Sequence, residues 1–457
     1  MGRNNLALAV MSNTIKISSL PVSCPVPAVR SLRSNVQWTL LGYFVFGACQ
    51  WLMLLVVARM GLPEMVGQFS LAMALTAPVI LLLGLELRTV QATDQSNQYS
   101  FGNLFYLRAT TLAIAMLVIV AITIARGYPT ETSLMIFVMG IAKCVEALSD
   151  LCHGTLQQHE RLDQMAIAKM VRGGLSVITL ALGLYAFQSL LLATTVLAAM
   201  WCAILVFYDW PIAARLRQDQ GNSSALPRIR LREVWQLLII VFPTGILACQ
   251  SSLEQNLPRL CIEDYLGDRE LGIFSAVSSL IVAVTLVINA IHTAVLPRIS
   301  KYLVAEQWRA MWQMLIKLSL LGAVLGGMGT AAVAIFGRWL LGFAFGPEYA
   351  EQSSLLVVLM LGATARYATL PLSTGFRAAQ QFWLLAILQM VALVISVPVL
   401  ILLVREYGGL GAAYSTVVLA ILFAVIQVPA AIWALRSPKS RQVGREQLPA
   451  ASLHEAA

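Results

Sequence analysis

Apolar runs of about 20 residues recur along the whole chain and restrict its fold more than any other feature. A bilayer has a hydrocarbon core about 30 Å thick, which about 20 helical residues cross. A backbone in lipid must satisfy its own hydrogen bonds, and these runs lack the alternation of barrel strands, so we expect helices. The sequence predicts an all-α polytopic membrane protein with about twelve transmembrane helices. Their spans are 36–58, 67–85, 106–125, 133–152, 171–188, 190–208, 235–257, 271–296, 313–336, 352–370, 383–404 and 410–434.

The composition excludes a water-soluble globule. Of the 457 residues, 59% are hydrophobic and 12% are charged, whereas an average soluble domain has about 25% charged residues. Most of the 31 Lys and Arg residues fall in the two tails and in the loops after even-numbered helices. By the positive-inside rule, both termini are cytoplasmic. Membrane lipids with anionic headgroups are the expected partners of these loops, and no nucleic acid is needed to explain the net charge.

Two pairs of similar segments indicate an internal repeat. ACQWLMLLVVAR at 48–59 and ACQSSLEQNLPR at 248–259 share Ala, Cys, Gln and Arg at the same places. GQFSLAMAL at 67–75 and GIFSAVSSL at 272–280 share Gly, Phe, Ser and the final Leu. Six helices separate the copies, so the two halves enter the membrane in the same direction, as in transporters built from parallel repeats. We therefore expect two six-helix lobes around a central cavity, rocking in alternation.

The repeat divides the chain into two lobes, a linker and two tails. The first 35 residues lack the continuous apolar core and cleavage site of a signal peptide, and either Met1 or Met11 is a candidate start of translation. Gly322 and Gly326 form a GxxxG pattern, which predicts close helix packing. The expected divisions are a cytosolic tail at 1–35, an N-lobe of helices 1–6 at 36–209, a basic cytoplasmic linker at 210–234, a C-lobe of helices 7–12 at 235–435 and a cytosolic tail at 436–457.

Charged residues inside the fourth span mark a candidate binding site. Lys143, Glu146 and Asp150 are spaced three and four apart, so they line one face of a helix. Two interpretations stay open: an internal Lys143–Glu146 pair that joins helices, or a charged face that lines a cavity and meets an ionic cargo. Arg88 and Arg172 flank the predicted cytoplasmic side. Each alone is typical of a headgroup anchor, whereas as a cluster they would hold a phosphate, because Arg matches phosphate oxygens in pairs.

The seventh span carries a second polar segment. Where the first copy of the repeat has WLMLLVVA, the second has SSLEQNLP, which includes Glu254. An ionised group near the helix centre costs about 3 kcal/mol, so this segment does not face lipid alone. Either Glu254 pairs with Arg259 or sits at the membrane interface, or it faces water or cargo.

The source of energy is restricted by the motifs of the sequence. The chain contains no GxxxxGK[ST] phosphate loop, so it does not read as an ATPase, and transport would use an ion gradient or the gradient of the cargo. The candidates for ion coupling are Glu146, Asp150 and Glu254, with His292 as a weaker one. The spacing of Cys and His residues predicts no metal site, and we expect no cofactor.

Three segments resemble a known family. They are SNVQWTLLGYFVFGACQWLMLLVVARMGLPEMVGQFSLAMALTAPV at 34–79, LELRTVQATD at 85–94 and KCVEALSDLCHGTLQQHERLDQMAIAKMVRGGLS at 143–176. They resemble the Wzx-type polysaccharide or O-antigen flippases of the multidrug/oligosaccharidyl-lipid/polysaccharide exporter superfamily. The second half resembles the family in helix spacing only. The resemblance implies two lobes around a cationic cavity, to which Lys143, Arg88 and Arg172 would contribute as substrate-binding residues. It also implies movement of an undecaprenyl-pyrophosphate-linked oligosaccharide from the inner to the outer leaflet of the bacterial cytoplasmic membrane.

That resemblance also implies further partners and leaves two alternatives. A polysaccharide polymerase and a chain-length regulator are expected to act with such a flippase. The first alternative is an ion-coupled drug or cation antiporter of the same superfamily, which would use Glu146, Asp150 and Glu254 as cation ligands. The second is a membrane scaffold of an export complex that transports nothing. An enzyme is not expected, because the loops after odd-numbered helices are short.

Overall fold

The computed structural model describes residues 32–93, 100–218 and 231–434, and these are helical almost throughout, with no strand among them. The predicted C-terminal tail, nearly all of the predicted N-terminal tail and the middle of the predicted linker lie outside the described residues. Twelve long helical segments, which we call α1 to α12, follow one another. They are α1 (Leu32–Met60), α2 (Pro63–Gly84), α3 (Phe101–Arg126), α4 (Thr130–Gln158), α5 (Leu162–Phe187), α6 (Leu190–Ile204, the π-helical turn Leu205–Asp209 and Trp210–Gln218), α7 (Leu231–Leu266), α8a (Asp268–Ser279) with α8b (Ile281–Val304), α9 (Trp308–Ala344), α10 (Ser353–Ala378), α11 (Phe382–Tyr407) and α12 (Gly409–Ala434).

The predicted all-α membrane fold is confirmed. Ten of the described segments are long and apolar enough to cross a membrane. The other two, α4 and α7, have 29 and 36 residues and carry the charged residues singled out above. Both pack inside the bundle: α4 lies against α2, α3 and α6, and α7 lies against α2 and α11.

Two expectations about local structure differ from what the structure shows. The eighth span was expected to be one helix, but it breaks at Leu280 into α8a and α8b. The linker was expected to begin at residue 210, whereas α6 remains helical to Gln218, because its π-helical turn is followed directly by another helix.

The two lobes repeat the same packing arrangement. In the N-lobe, α1 packs on α5, α2 on α4, α3 on α4, α4 on α6 and α5 on α6. Six helices later, α7 packs on α11, α8 on α10, α9 on α10, α10 on α12 and α11 on α12. Each pair therefore has a counterpart in the other lobe, as the parallel repeat predicts.

The lobes meet most closely at one end of the bundle. We call this the odd-loop end, because it holds the loops after odd-numbered helices, and we call the opposite end the even-loop end. Here α2 packs on α8a through two glycines that the repeat aligns. A Cβ on Gly67 would lie 1.9 Å from the carbonyl oxygen of Asp268, and a Cβ on Gly272 would lie 1.9 Å from that of Pro63. The equal distances show that this contact lies at the twofold relation between the lobes, where only glycine fits.

Polar contacts add to the closure of the odd-loop end. Arg59, at the end of α1, donates a hydrogen bond from Nε to the carbonyl oxygen of Ala344 at the end of α9, over 2.6 Å. Tyr128, in the loop between α3 and α4, donates from its hydroxyl to Oε2 of Glu263 over 3.2 Å. Burial and the nearby Glu263 carboxylate raise the pKa of Tyr128, so its hydroxyl stays protonated as a donor. Side chains of one lobe thus hold backbone and acid groups of the other.

Candidate functional site

A cavity of about 310 Å³ opens in the N-lobe, and α1, α2, α3, α4 and α5 contribute to its wall. It lies in the half of the lobe near the even-loop end: Asp150 precedes the end of α4 by about two turns, and Lys169 follows the start of α5 by about two turns. The ionisable side chains that line it are Glu86, Arg108, Lys143, Glu146, Asp150, His153, Lys169 and Arg172. The cavity therefore brings charged side chains together inside an apolar bundle.

The predicted charged face of α4 lines this cavity. The Nζ of Lys143 lies 2.8 Å from Oε2 of Glu146, and these side chains are 15% and 26% exposed. Lys143 also lies over the ring of Trp201 in α6, with Nζ 5.7 Å from the ring centroid. The internal pair therefore forms within α4, and both of its members border the cavity.

Asp150 lies between two basic side chains. Its Oδ1 is 2.9 Å from Nη1 of Arg88 and 3.8 Å from Nζ of Lys169. Arg88 comes from the short helix Leu87–Thr93 between α2 and α3, and it points into the lobe instead of out to the headgroups. Lys169 also lies over the ring of Tyr43, 5.1 Å from its centroid. The carboxylate of Asp150 therefore holds cations from two other elements near the cavity.

Arg172 is deeply buried, with 3% of its surface exposed. It donates hydrogen bonds to the hydroxyl of Ser149 and to the carboxylate of Asp209, in the π-helical turn of α6. The same carboxylate lies 3.3 Å from Nε2 of His153. Arg172 is thus held by a buried acid that links α4, α5 and α6, and not by lipid headgroups.

The sequence candidates did not include Lys169, Asp209 or Arg108, which the structure brings to the cavity or to its buried ion pairs. Lys169 had a usable signal, because it lies three residues before Arg172 and so on the same face of α5. Asp209 follows the apolar run of α6 directly, and such a position usually marks the membrane surface. Arg108, which donates to the carbonyl oxygen of Gly84, lies in the first turns of α3. Only the packing of α3 and α6 against their neighbours brings these two side chains inside.

The charges at the cavity nearly balance. Four basic side chains line it, with three acidic ones, Glu86, Glu146 and Asp150. In each ion pair the basic side chain can bind an anion, and the carboxylate of the pair already fills that binding site. The arrangement can accept an anionic cargo if the cargo replaces these carboxylates.

Glu254, the third predicted coupling residue, lies in the C-lobe and not at this cavity. Its Oε1 is 2.7 Å from Nε of Arg366 in α10, and its Oε2 is 3.3 Å from Nη2. The suggested pair with Arg259 is therefore wrong, since the bidentate geometry of Arg366 satisfies the carboxylate. Arg259 donates instead to Oδ1 of Asn256 over 3.1 Å.

His292 is a buried packing residue. Its Nδ1 lies 2.9 Å from the hydroxyl oxygen of Thr374 in α10, and 8% of the residue is exposed. Among the described residues, no group of three or more His, Cys, Asp or Glu side chains is placed to hold a metal ion.

The GxxxG pattern of α9 packs as predicted. A Cβ on Gly322 would lie 2.6 Å from the carbonyl oxygen of Tyr367, and one on Gly326 would lie 2.8 Å from Cα of Thr364. Both glycines thus let α9 approach α10 closely.

Comparisons with known proteins agree with this fold. The "Polysaccharide biosynthesis protein" family profile matches residues 32–303, which contain the segments that resemble Wzx-type flippases, and it confirms that resemblance. The Capsular polysaccharide biosynthesis protein CapF of Staphylococcus aureus is 25% identical over 386 residues, covering 83% of this chain and 94% of that protein.

Solved structures of transporters share the arrangement of helices. The inward closed conformation of the lipid II flippase MurJ has a TM-score of 0.67 at 11% identity, covering 92% of this chain and 93% of that one. The Vibrio cholerae MATE transporter VcmN, as its D35N mutant, has a TM-score of 0.64 at 14% identity, covering 90% and 98%. The chain belongs to the polysaccharide biosynthesis protein family and has the two-lobed helical fold of MurJ and the MATE transporters.

Proposed function

We propose that this protein is a flippase that moves undecaprenyl-pyrophosphate-linked oligosaccharides from the inner to the outer leaflet of the bacterial cytoplasmic membrane. The units would serve the synthesis of O-antigen, capsule or exopolysaccharide, and movement would occur by alternating access of the two lobes. Family membership supports a role in polysaccharide biosynthesis, and the fold supports transport. The observation that carries the proposal is the group of basic side chains, Lys143, Lys169 and Arg172 foremost, at a cavity inside the bundle.

A pyrophosphate crossing a bilayer needs partners for its charge. Transfer of an isolated anion from water to a medium of low dielectric costs many kcal/mol, and fixed cations with several N–H donors offset that cost. Lys143 is about half way along α4 and borders the cavity. Together with Lys169 and Arg172, it would meet the phosphates, and Arg88 would hold Asp150 beside them.

The polyprenyl tail would stay in the lipid. The half of α1 near the even-loop end exposes Leu40, Leu41 and Phe44, with 53%, 48% and 63% of each residue accessible. This apolar surface lies on the same helix as Tyr43, which contacts Lys169. A lipid-linked cargo can thus contact the membrane and the basic cluster at once.

The orientation follows from the basic loops. If the even-loop end is cytoplasmic, as the distribution of Lys and Arg favours, both termini are cytoplasmic and the cavity lies near the leaflet where such cargo is made. The contacts between the lobes at the odd-loop end would then close the outer side. A polymerase and a chain-length regulator would act on the delivered units at that side.

The test is to locate the lipid-linked oligosaccharide in cells that lack this protein, using an externally added glycosidase to reach only the outer leaflet. We expect accumulation on the inner leaflet, relieved by the wild-type chain. Lys143→Ala should restore at least tenfold less outward delivery, because one charged hydrogen-bond partner is worth about 1.5–3 kcal/mol. The matched control is Lys317→Ala, since Lys317 is an exposed residue of α9. Equal delivery by both variants would refute the role of Lys143.

The same assay addresses the antiporter alternative. Normal outward delivery in cells without the protein, combined with sensitivity to cationic dyes, would favour an antiporter. The lining of the cavity favours an anionic cargo over a cationic one, because it has four basic side chains and three acidic ones. A scaffold that transports nothing has no need of such charges within helices.

A further inference from the structure

The Arg366–Glu254 pair is a second charged group inside the bundle, separate from the N-lobe cavity. Both side chains are partly accessible, at 20% and 23%. The guanidinium of Arg366 lies over the ring of Phe423 in α12, 4.4 Å from its centroid. Its Nη1 has no hydrogen-bond partner among the described residues. The arginine thus contacts a ring and a carboxylate, and its buried Nη1 donor group is left over.

The pair joins α10 to α7, and α7 packs on α2 of the N-lobe. Arg366 and Arg377 are eleven residues apart in α10, about three turns, so they share a face of the helix. Both interact electrostatically with His292 of α8b. Arg377 also interacts with Glu86, which lines the N-lobe cavity. Arg377 thus lies at the even-loop end, where Glu86 borders the cavity.

A purely structural role explains this pair poorly. A buried or half-buried ion pair gains little stability over apolar residues of the same size, because both charges must be desolvated. Ionisable residues within membrane helices usually mark the path of a substrate or ion. The pair here is open enough to exchange its partner, and its arginine has the fork of N–H donors that matches an oxyanion.

We propose that Arg366 is an oxyanion-binding residue of the C-lobe, and that Glu254 is its counter-ion in the empty transporter and is displaced by the anionic head of the cargo. The ligand is a phosphate group of a lipid diphosphate. This inference rests on the proposed function. The cargo would then contact basic residues of both lobes, with Lys143 on one side and Arg366 on the other.

Competition between carboxylate and phosphate gives the proposal a distinctive consequence. Glu254→Gln keeps the size of the side chain and removes its charge, so the phosphate no longer competes with an anion for Arg366. This variant should bind lipid diphosphate about tenfold more tightly than the wild type, because the phosphate no longer has to displace a charged hydrogen-bond acceptor from Arg366. The double variant Glu254→Gln/Arg366→Met removes the binding group as well, and it should bind about tenfold more weakly than the wild type.

The experiment measures the affinity of the full-length protein in nanodiscs for undecaprenyl diphosphate, with inorganic pyrophosphate as a soluble competitor. Arg269 and Glu348 provide a matched control, since they form an exposed ion pair in the same lobe. Glu348→Gln should bind like the wild type. The melting temperature of each variant reports on folding, and Glu254→Gln alone decides the question if the double variant does not fold.

The outcomes separate this inference from the proposed function. Unchanged or weaker binding by Glu254→Gln, with binding lost in Lys143→Ala, would overturn the role of Arg366 and leave the flippase proposal in place. If the wild type does not bind undecaprenyl diphosphate, the proposed function itself is overturned. Equal binding by Lys143→Ala and the wild type would overturn only the role of Lys143. If Glu254→Gln gains affinity for free glucuronate and not for pyrophosphate, the site takes the carboxylate of an acidic sugar, and the phosphate assignment is wrong.

Discussion

Replacing Gly67 by Ala should open the odd-loop end of the protein. Gly67 packs against the backbone of α8a, and an added Cβ would lie 1.9 Å from the carbonyl oxygen of Asp268. Carbon–oxygen contacts are normally about 3.3 Å or longer, so α2 and α8a would have to separate by roughly 1.4 Å. The obstacle is backbone, which cannot rotate away as a flexible side chain would. Gly272→Ala should have the same effect, because Gly272 makes the equivalent contact with Pro63.

The size of the effect follows from two opposing terms. Insertion of an extra methyl group into a packed interface costs about 1–3 kcal/mol. Ala favours a helix over Gly by about 1 kcal/mol, but this gain applies equally to the closed and open conformations and cancels between them. The closed conformation should thus lose about 2 kcal/mol, which corresponds to a shift of roughly 30-fold in the ratio of closed to open protein.

The native Cys261 reports on this change. It is 7% exposed and lies one turn before Asp264, which contacts Arg126 of the N-lobe. A membrane-impermeant maleimide should therefore label Cys261 slowly in the wild type and at least tenfold faster in Gly67→Ala, because the label reacts only with the open form. Mass spectrometry of the labelled peptide distinguishes Cys261 from the other cysteines.

Gly174→Ala is the matched control for this experiment. Gly174 lies in α5, and a Cβ there would have no atom within 4 Å. This variant should label like the wild type. If Gly67→Ala also labels at the wild-type rate while the protein stays folded, the contact between α2 and α8a does not set the closed conformation, and the reasoning is refuted.

Two further predictions concern stability. Asp209→Asn should lower the free energy of unfolding by about 3–5 kcal/mol, because it leaves the buried Arg172 without a counter-ion. Thermal unfolding in detergent measures this change, and an unchanged melting temperature would contradict the prediction. Gly326→Ala should cost about 1–3 kcal/mol, because its Cβ would lie 2.8 Å from Cα of Thr364. Gly327→Ala, with no atom within 4 Å of the added Cβ, should unfold like the wild type.

Contacts of the site between residues close in sequence could be predicted, and contacts between residues far apart in sequence could not. Lys143, Glu146 and Asp150 were recognised as one face because helical spacing relates residues three and four apart. The partner of Asp150 is Arg88, 62 residues away, and that of Glu254 is Arg366, 112 residues away. No local pattern relates residues so far apart, and the nearer Arg259 was for that reason suggested wrongly as the partner of Glu254.

The sequence by itself determined the membrane fold, because a long apolar run in lipid satisfies its backbone hydrogen bonds by forming a helix. Each such run can be recognised in the sequence without reference to the other runs. It also determined the parallel arrangement of the halves, since an even number of helices separates the repeated segments. The tertiary structure alone decided which charges meet. Helix packing turns Asp209 and Arg108 inward and sets Gly67 against Asp268. Such contacts depend on the rotation and depth of several helices at once, which no single run of sequence specifies.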